Sequence, residues 1–273
     1  MRFAIVTPVW NGESLITDTV KSIVSQEGLD DGRVEIDYIV QDGASTDETV
    51  AAALASGRGR VRVASVPDAG MYDALAKGFR AVHGDVFFYL NAGDMLQPRA
   101  LLRLADVFNH GGIDWVCGLQ LFYSESGEIV SSRLPFRYRR SFLERGYYWR
   151  GLPGIQQEST FWSAAAMRTV DLAQLATFRL AGDFYLWHRI NQHFELHVAQ
   201  VALGGFRYHG NHLSSAMDEY LEEIDSIAGR LRFVDRFLML PERVRWKLPD
   251  KLRRHWRPPL FAYSPQDARW QLL

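Results

Sequence analysis

The sequence predicts an α/β fold: a mixed, mostly parallel sheet flanked by helices, followed by a helical C-terminal extension. Three observations predict it. Over roughly the first hundred residues, short apolar β-branched runs alternate with segments whose apolar residues recur at helical spacing, the pattern of strand–helix–strand units. Such alternation puts helices on both faces of a parallel sheet. Each predicted strand also runs into polar residues at its carboxyl end, the side on which open α/β sheets bind ligands.

The elements follow in order. Phe3–Val9 is the first buried strand. Ser14 is placed to cap a helix carrying Leu15, Ile16, Val20, Ile23 and Val24 at helical spacing. Ile36–Val40 is a second strand, ending in the polar turn Gln41–Asp47 ahead of a helix over Glu48–Ala55. Val61–Val66 is a third strand and Met71–Val82 a helix. Val86–Leu90 is a fourth, fully apolar strand, and Pro98 stands near the first turn of the helix after it. Further on, Trp115–Tyr123 and Ile129–Ser132 flank a Ser-Glu-Ser-Gly turn as a hairpin. Helices are expected near Ala164–Val170 and Phe184–Gln192, and a strand near Leu196–Leu203. Phe136–Gly154 is aromatic, basic and loop-like.

Composition narrows the function. The chain has 273 residues, enough for one large α/β domain with an extension. Lys and Arg number 31 against 32 Asp and Glu, so no net field selects nucleic acid as a partner. The single cysteine, Cys117, lies in an apolar stretch and is expected to be a buried thiol. The apolar run at the N-terminus is broken by Pro8 and Asn11, too early for a signal-peptide core. No stretch approaches the roughly 20 apolar residues of a membrane-spanning helix. The expectation is a cytoplasmic protein, either free or peripheral on the inner face of the cell membrane.

The strand ends carry the chemistry. Thr7, Pro8, Val9 and Asn11, then Asp42, then Asp68 and Gly70, then Asn91, Ala92, Gly93 and Asp94 converge on one edge of the predicted sheet. Asp42 is suited to accept a hydrogen bond from a nucleobase, or simply to hold a turn. Asp68 can cap a helix, and Gly70 allows a close backbone approach. Lys77 either faces a diphosphate or pairs with Asp73 four residues earlier on the same helix. Asp94 offers an oxygen ligand for a divalent cation, Mg2+ or Mn2+, which would bridge a diphosphate and stabilise its departure. The alternative is a helix-capping loop.

Together these segments resemble glycosyltransferase family 2, the large family of inverting transferases with the Rossmann-like GT-A fold. Thr7-Pro8-Val9-Trp10-Asn11 resembles its first-strand motif, and Asp42-Gly43-Ala44-Ser45-Thr46-Asp47 its base- and ribose-binding turn. Pro67–Gly78 is similar to the family's Pro-Asp-x-Gly-x-Tyr-Asp-Ala-x-x-Lys-Gly stretch, and Asn91–Asp94 stands in the place of its Asp-x-Asp metal motif. The resemblance implies that Asp94 is the retained metal ligand and that Asp42 and Asp68 contact the nucleoside of a nucleoside-diphosphate sugar, uridine-type favoured. Asn91 and Gly93 replace carboxylates of fuller motifs. Gln156–Phe161 resembles a family segment that usually reads His-Gln-x-x-Phe, and Leu180–Trp187 resembles its Asp-Tyr-x-Leu-Trp segment. The latter implies that Asp183 is the general base, a role compatible with capping the helix it begins. His209 or His212, in a polar loop after a strand, is a candidate to complete the metal shell.

This reading divides the chain into a catalytic domain, residues 1–215, and an extension, residues 216–273. Within the first, residues 1–96 hold donor and metal, and residues 97–215 hold the acceptor side and the base. The acceptor expected is a glycan or polyprenyl-linked molecule, in bacterial-type surface polysaccharide or glycolipid synthesis. The extension is basic and amphipathic. From Arg230 to Arg257 its cationic residues are mixed with Phe237, Trp246 and Trp256, suiting either a solvated face or an anionic membrane surface. Two other readings stand beside the transferase. A non-catalytic nucleotide- or sugar-binding module fits the reduced metal motif. A nucleotidyltransferase would want a Gly-rich phosphate loop, which Thr7–Gly12 lacks.

Overall fold

The computed structural model describes residues 1–135, 137–208, 217–248, 260–264, 266 and 269–272. The predicted alternation holds through the first hundred residues. It runs β1 (Arg2–Val9), α1 (Glu13–Val24), β2 (Glu35–Asp42), α2 (Thr49–Ser56), β3 (Arg62–Ser65), α3 (Met71–Ala81), β4 (Val86–Tyr89), β5 (Met95–Leu96) and α4 (Ala100–Asn109). Then come β6 (Trp115–Cys117), β7 (Gln120–Tyr123), β8 (Ile129–Arg133), α5 (Arg140–Glu144), a 3-10 turn (Gln157–Ser159), β9 (Thr160–Ser163), α6 (Ala164–Met167), α7 (Leu172–Leu175) and α8 (Gly182–Asn191). The chain closes with β10 (His197–Ala199), β11 (Gly204–Arg207), α9 (Met217–Ala228), α10 (Phe233–Lys247), β12 (Leu260–Ser264) and β13 (Arg269–Leu272).

Nine strands form the main sheet in the order β13-β12-β10-β6-β9-β4-β1-β2-β3. β1, β2, β3 and β4 run parallel, and β9 is inserted antiparallel between β4 and β6. The register sets Val9 beside Asp42 and Asp42 beside Ser65, so the strand ends that carry the polar motifs lie level. A second sheet has the order β5-β11-β7-β8. The α/β fold with a mostly parallel sheet is the one the sequence predicts.

The differences have local causes. The stretch Trp115–Tyr123 is not one strand but two, belonging to different sheets. At the break, Gly118 donates its N–H to the Ser159 carbonyl and Leu119 to that of Val201. A Cβ on Gly118 would lie 2.7 Å from both Ser159 Oγ and the Val201 carbonyl, so only glycine lets the chain cross there. Of the expected strand Leu196–Leu203 only His197–Ala199 is strand, as β10 of the main sheet, and β11 starts just beyond it in the second sheet. Ser14 does not cap α1: the helix starts at Glu13, and Gly12 accepts its first hydrogen bonds through its carbonyl. The extension is helical in α9 and α10, as expected, but its last residues add β12 and β13 to the main sheet.

The core is aromatic where the sheet is covered by α8. Trp187 stacks on Trp115 at 5.7 Å and meets Trp162 edge-on at 5.4 Å. Cys117 is buried within β6, as expected. Among the described residues, no helix is long and apolar enough to cross a membrane.

Candidate active site

The first two loops are laced together by their own side chains. Asn11, with φ +48°, takes the left-handed conformation that asparagine tolerates. It donates its N–H to Ser45 Oγ at 2.7 Å and accepts from the Thr46 N–H at 2.9 Å. The Gly12 N–H donates to Thr49 Oγ1 at 2.8 Å. Asp42 is fully buried and accepts from Ser45 N–H, Ser45 Oγ and Ser65 Oγ. Its carboxylate thus binds the ends of β2 and β3 to the turn. Asp68 lies against the backbone of Gly43, where a Cβ would meet its Oδ2 at 2.7 Å, and accepts from the Gly70 N–H. Gly70, with φ +131°, opens α3.

Some predicted donor-binding side chains point elsewhere. Thr7, Pro8 and Val9 are buried in β1, and Thr7 pairs with the Tyr38 hydroxyl at 2.9 Å. Lys77 donates to Asp73 and to the Pro67 carbonyl, the local pairing its spacing allowed. Trp10, just past β1, is 69% exposed and precedes Asn11, which bonds the Asp42 turn.

The Thr19 hydroxyl ties the Asn91–Asp94 turn to α1. Thr19 of α1 accepts from the Gly93 N–H and donates to the Asp94 carbonyl, both at 2.8 Å. Gly93 takes φ +106°, and Ala92 packs near Gly12. The Asp94 carboxylate is buried and accepts from the Arg207 N–H of β11 at 3.1 Å. Burial and the nearby Glu158 carboxylate push its pKa well above the usual carboxylate range. Beside it, Asn91 Oδ1 is buried without a hydrogen-bond partner, an expensive state for a carbonyl. A hard cation would answer both conditions, because it takes oxygen ligands and favours the ionised carboxylate. The donor set therefore fits a divalent ion. Among the described residues, no three His, Cys, Asp or Glu side chains converge as a metal cluster. His209 and His212 lie outside the described residues.

Asp183 sits in the first turn of α8, half-buried, two positions after the capping position, which Ala181 holds. Its Oδ1 accepts from the Phe184 N–H at 2.7 Å. The Tyr220 hydroxyl of α9 spans both carboxylate oxygens, at 3.0 and 3.2 Å. Burial lifts its pKa from 3.8 to about 6, against the hydrogen bonds from Phe184 and Tyr220, which lower it. The loop before α8 is fixed from two sides. Glu223 of α9 accepts from the N–H groups of Arg179, Leu180 and Ala181 at 3.0, 3.0 and 2.6 Å. Tyr72 of α3 donates to the Leu180 carbonyl, and its ring leaves no room for a side chain at Gly182, where a Cβ would lie 2.3 Å away.

A pH prediction follows from this arrangement. If Asp183 works as a base, the rate falls as pH drops through about 6, where the carboxylate takes up its proton. Tyr220 donates to the charged form, so Tyr220→Phe removes a bond that lowers the pKa and moves this acid limb to higher pH. The kcat/KM profile of both proteins measures it. An unmoved limb in a well-folded Tyr220→Phe protein would separate the tyrosine from the base.

The site thus includes residues that the sequence reading assigned no role. Glu158 is buried, and its carboxyl is pushed up first by burial and also by the charge of Asp183. Since it also raises Asp94, it stands electrically between the two. Its signal was its place in the Gln156–Phe161 segment. Tyr72 had one in the long α3 motif. Tyr220 had none, since nothing in Met217–Ala228 announces that one tyrosine reaches back 37 residues.

Comparison with known proteins bears on family and fold. Two strains' versions of an uncharacterized glycosyltransferase of Mycobacterium tuberculosis are 33% identical over 139 residues, which is 50% of this chain and 52% of theirs. The chain therefore spans about half the length of the curated relatives it matches. The S. aureus TarS fragment crystallised with UDP-GlcNAc superposes with a TM-score of 0.64 at 15% identity, covering 90% of this chain and 72% of that one. Glucosyl-3-phosphoglycerate synthase of M. tuberculosis superposes with 0.54 at 21% identity, covering 85% and 82%. At these identities the likeness is one of fold, the GT-A architecture. The profile described as "Glycosyl transferase family 2" matches residues 4–167, more than half of the chain, and the protein belongs to that family.

Proposed function

We propose that this chain is an inverting glycosyltransferase that moves a sugar from a nucleoside-diphosphate sugar to a hydroxyl of a glycan or polyprenyl-linked acceptor. The observation that carries the reading is Asp183. It is a half-buried carboxylate at a helix start, anchored by Tyr220 and raised to a pKa of about 6, within electrostatic reach of the Glu158–Asp94 pair. A base of that strength is mostly ionised at neutral pH yet accepts a proton more readily than a free aspartate. Asp183 takes the acceptor proton as the hydroxyl oxygen attacks the anomeric carbon. The bond to the diphosphate breaks in the same displacement, so no covalent enzyme intermediate forms.

On the donor side, the laced loops around Asn11, Asp42 and Asp68 form the floor for the nucleoside, and exposed Trp10 offers a ring face on which a base can stack. A uridine-type donor is favoured, in keeping with the UDP-sugars crystallised with the TarS fragment and the synthase. Asp94 and Asn91 would hold Mg2+ or Mn2+ beside the Glu158 carboxyl, with His209 a further candidate ligand. When bound, the ion supplies Lewis-acid stabilisation of the departing diphosphate. The synthase has been crystallised with either ion. Residues 1–96 serve the donor, residues 97–215 the acceptor and base, and the extension after residue 216 adds Tyr220 and Glu223 to the base. The pathway proposed is bacterial-type surface polysaccharide or glycolipid synthesis, with the enzyme on the cytoplasmic membrane face through its basic extension.

A thermal-shift panel of nucleoside-diphosphate sugars with and without Mn2+ tests the donor side, because a ligand that binds only the folded state raises its melting temperature. A UDP-sugar is expected to give the largest shift, and slow donor hydrolysis by the purified protein to follow. Stabilisation without any hydrolysis or transfer would favour a non-catalytic binding module instead.

A further inference from the structure

The helix α10 is amphipathic the wrong way round for a surface helix of a globular protein. Such helices turn their apolar stripe inward and their charges outward. In α10 the inward positions Asp235, Met239, Glu242 and Trp246, at helical spacing, are all buried. Two of them are carboxylates. Asp235 accepts from the Tyr147 hydroxyl at 2.7 Å and pairs with Arg145, and Glu242 pairs with Arg139 and Arg245. Trp246, which the sequence suggested for a lipid interface, instead packs on Tyr138 and Tyr148 under the Arg133 guanidinium. The outward face is apolar. Phe233, Val234, Phe237, Leu238, Leu240 and Val244 are between 49% and 76% exposed, and Phe233 and Phe237 meet edge-on at 5.1 Å.

We propose that this outward face of α10 docks into an anionic lipid surface, with the helix lying in the plane of the membrane. The proposal deepens, and rests on, the reading that the basic extension brings the enzyme to a membrane. It names the element that inserts. A contiguous apolar patch on a surface marks an interaction site, and the charges around this one choose the partner. Both acidic residues of α10 point inward and are neutralised there, so the helix presents no carboxylate outward. Arg236 and Lys247 are exposed along one edge of the apolar arc, and Arg230 and Arg232 are exposed just before the helix. An apolar face rimmed by cations is the pattern of an interfacial helix on anionic lipid, where insertion of the apolar side chains and attraction of the basic ones act together. Its position fits the chemistry, because α10 follows directly on α9, whose Tyr220 and Glu223 hold the base and its loop. Docking through α10 therefore brings the acceptor side of the enzyme to the lipid.

The experiment is vesicle co-sedimentation of the full chain, on phosphatidylcholine mixed with phosphatidylglycerol and on phosphatidylcholine alone. Two variants accompany it: Phe233→Ser/Phe237→Ser/Leu240→Ser, and Lys251→Gln/Arg253→Gln/Arg254→Gln/Arg257→Gln. The serine positions are exposed, so circular dichroism melts are expected to match the parent. The parent is expected to bind only the anionic vesicles and the serine variant to bind them at least about tenfold more weakly, since lost apolar insertion is lost affinity. Full binding by the serine variant with loss in the glutamine variant would overturn insertion by α10 while leaving attachment by charge alone. No binding by the parent would overturn both. Sedimentation velocity of the parent and the serine variant covers the remaining occupant: self-association that the serine substitutions abolish, with lipid binding unchanged, would assign the face to a second copy of the chain and overturn the proposal.

Discussion

Asp183→Asn is expected to bind the donor as the parent does and to transfer sugar about 10²–10⁴-fold more slowly, the usual contribution of a general base. The substitution isolates chemistry from structure. The amide has the same size, and its Oδ1 can keep the bond from the Phe184 N–H and one from the Tyr220 hydroxyl. It cannot take up a proton at neutral pH. The surrounding clamp does not depend on the charge, because Glu223 holds the Arg179, Leu180 and Ala181 amides and Tyr72 the Leu180 carbonyl. Single-turnover transfer and calorimetric titration with UDP and Mn2+ give the two readouts. Parent-like turnover in the variant would leave Asp183 with only a role in starting α8. Equal loss of turnover and donor affinity would point to a collapsed loop rather than a missing base.

Much of this site was legible in the sequence because the half proposed to hold the donor is built from local signals. The β1, β2 and β4 runs and the polar residues at their ends are contiguous in the chain, and a parallel sheet must bring such ends together. The residues named there did converge, yet several do a different job from the one their position suggested. Thr7 and Val9 are buried because the strand continues through Val9, and Asp42 turns inward because the Ser45 and Ser65 hydroxyls donate to it there. Period and composition tell which segment reaches an edge, not which way a side chain faces there.

The half around Asp183, proposed for the acceptor, was less legible because it is assembled from distant pieces. The apparent hairpin from Trp115 hid a change of sheet at Gly118, which depends on Ser159 and Val201 approaching its backbone. Glu158 acquires its role from two carboxylates at other strand and helix ends, and Tyr220 from a helix that reads as an ordinary amphipathic surface element. The reversed polarity of α10 was hidden for a related reason. Alternating Arg and Leu residues are compatible with either face being inward, and the choice is made by Tyr147, Arg145 and Arg139 on neighbouring elements.

Asp94→Ala is expected to abolish the Mn2+-dependent part of UDP binding, a loss of at least about 10–100-fold, the scale on which even outer-shell partners of a metal matter. Asp94 is the only carboxylate of the Asn91–Asp94 turn, and its neighbours explain why it would need the ion. Burial beside Glu158 favours its neutral form, whereas a bound cation requires the ionised form and supplies the opposing charge. Binding of Mn2+ should therefore release protons, and affinity should rise with pH as the raised carboxyl ionises. Titrations in buffers of different ionisation enthalpy measure the proton release directly. Asp94→Asn serves as the structural control, since its Oδ1 can still accept from the Arg207 N–H that joins the turn to β11. Glu158→Gln should remove the like charge and weaken the pH dependence more than the affinity. If both Asp94 variants bind UDP as the parent does, with the same response to Mn2+ and to chelator, the turn is a capping loop and the cation, where one binds, is held elsewhere.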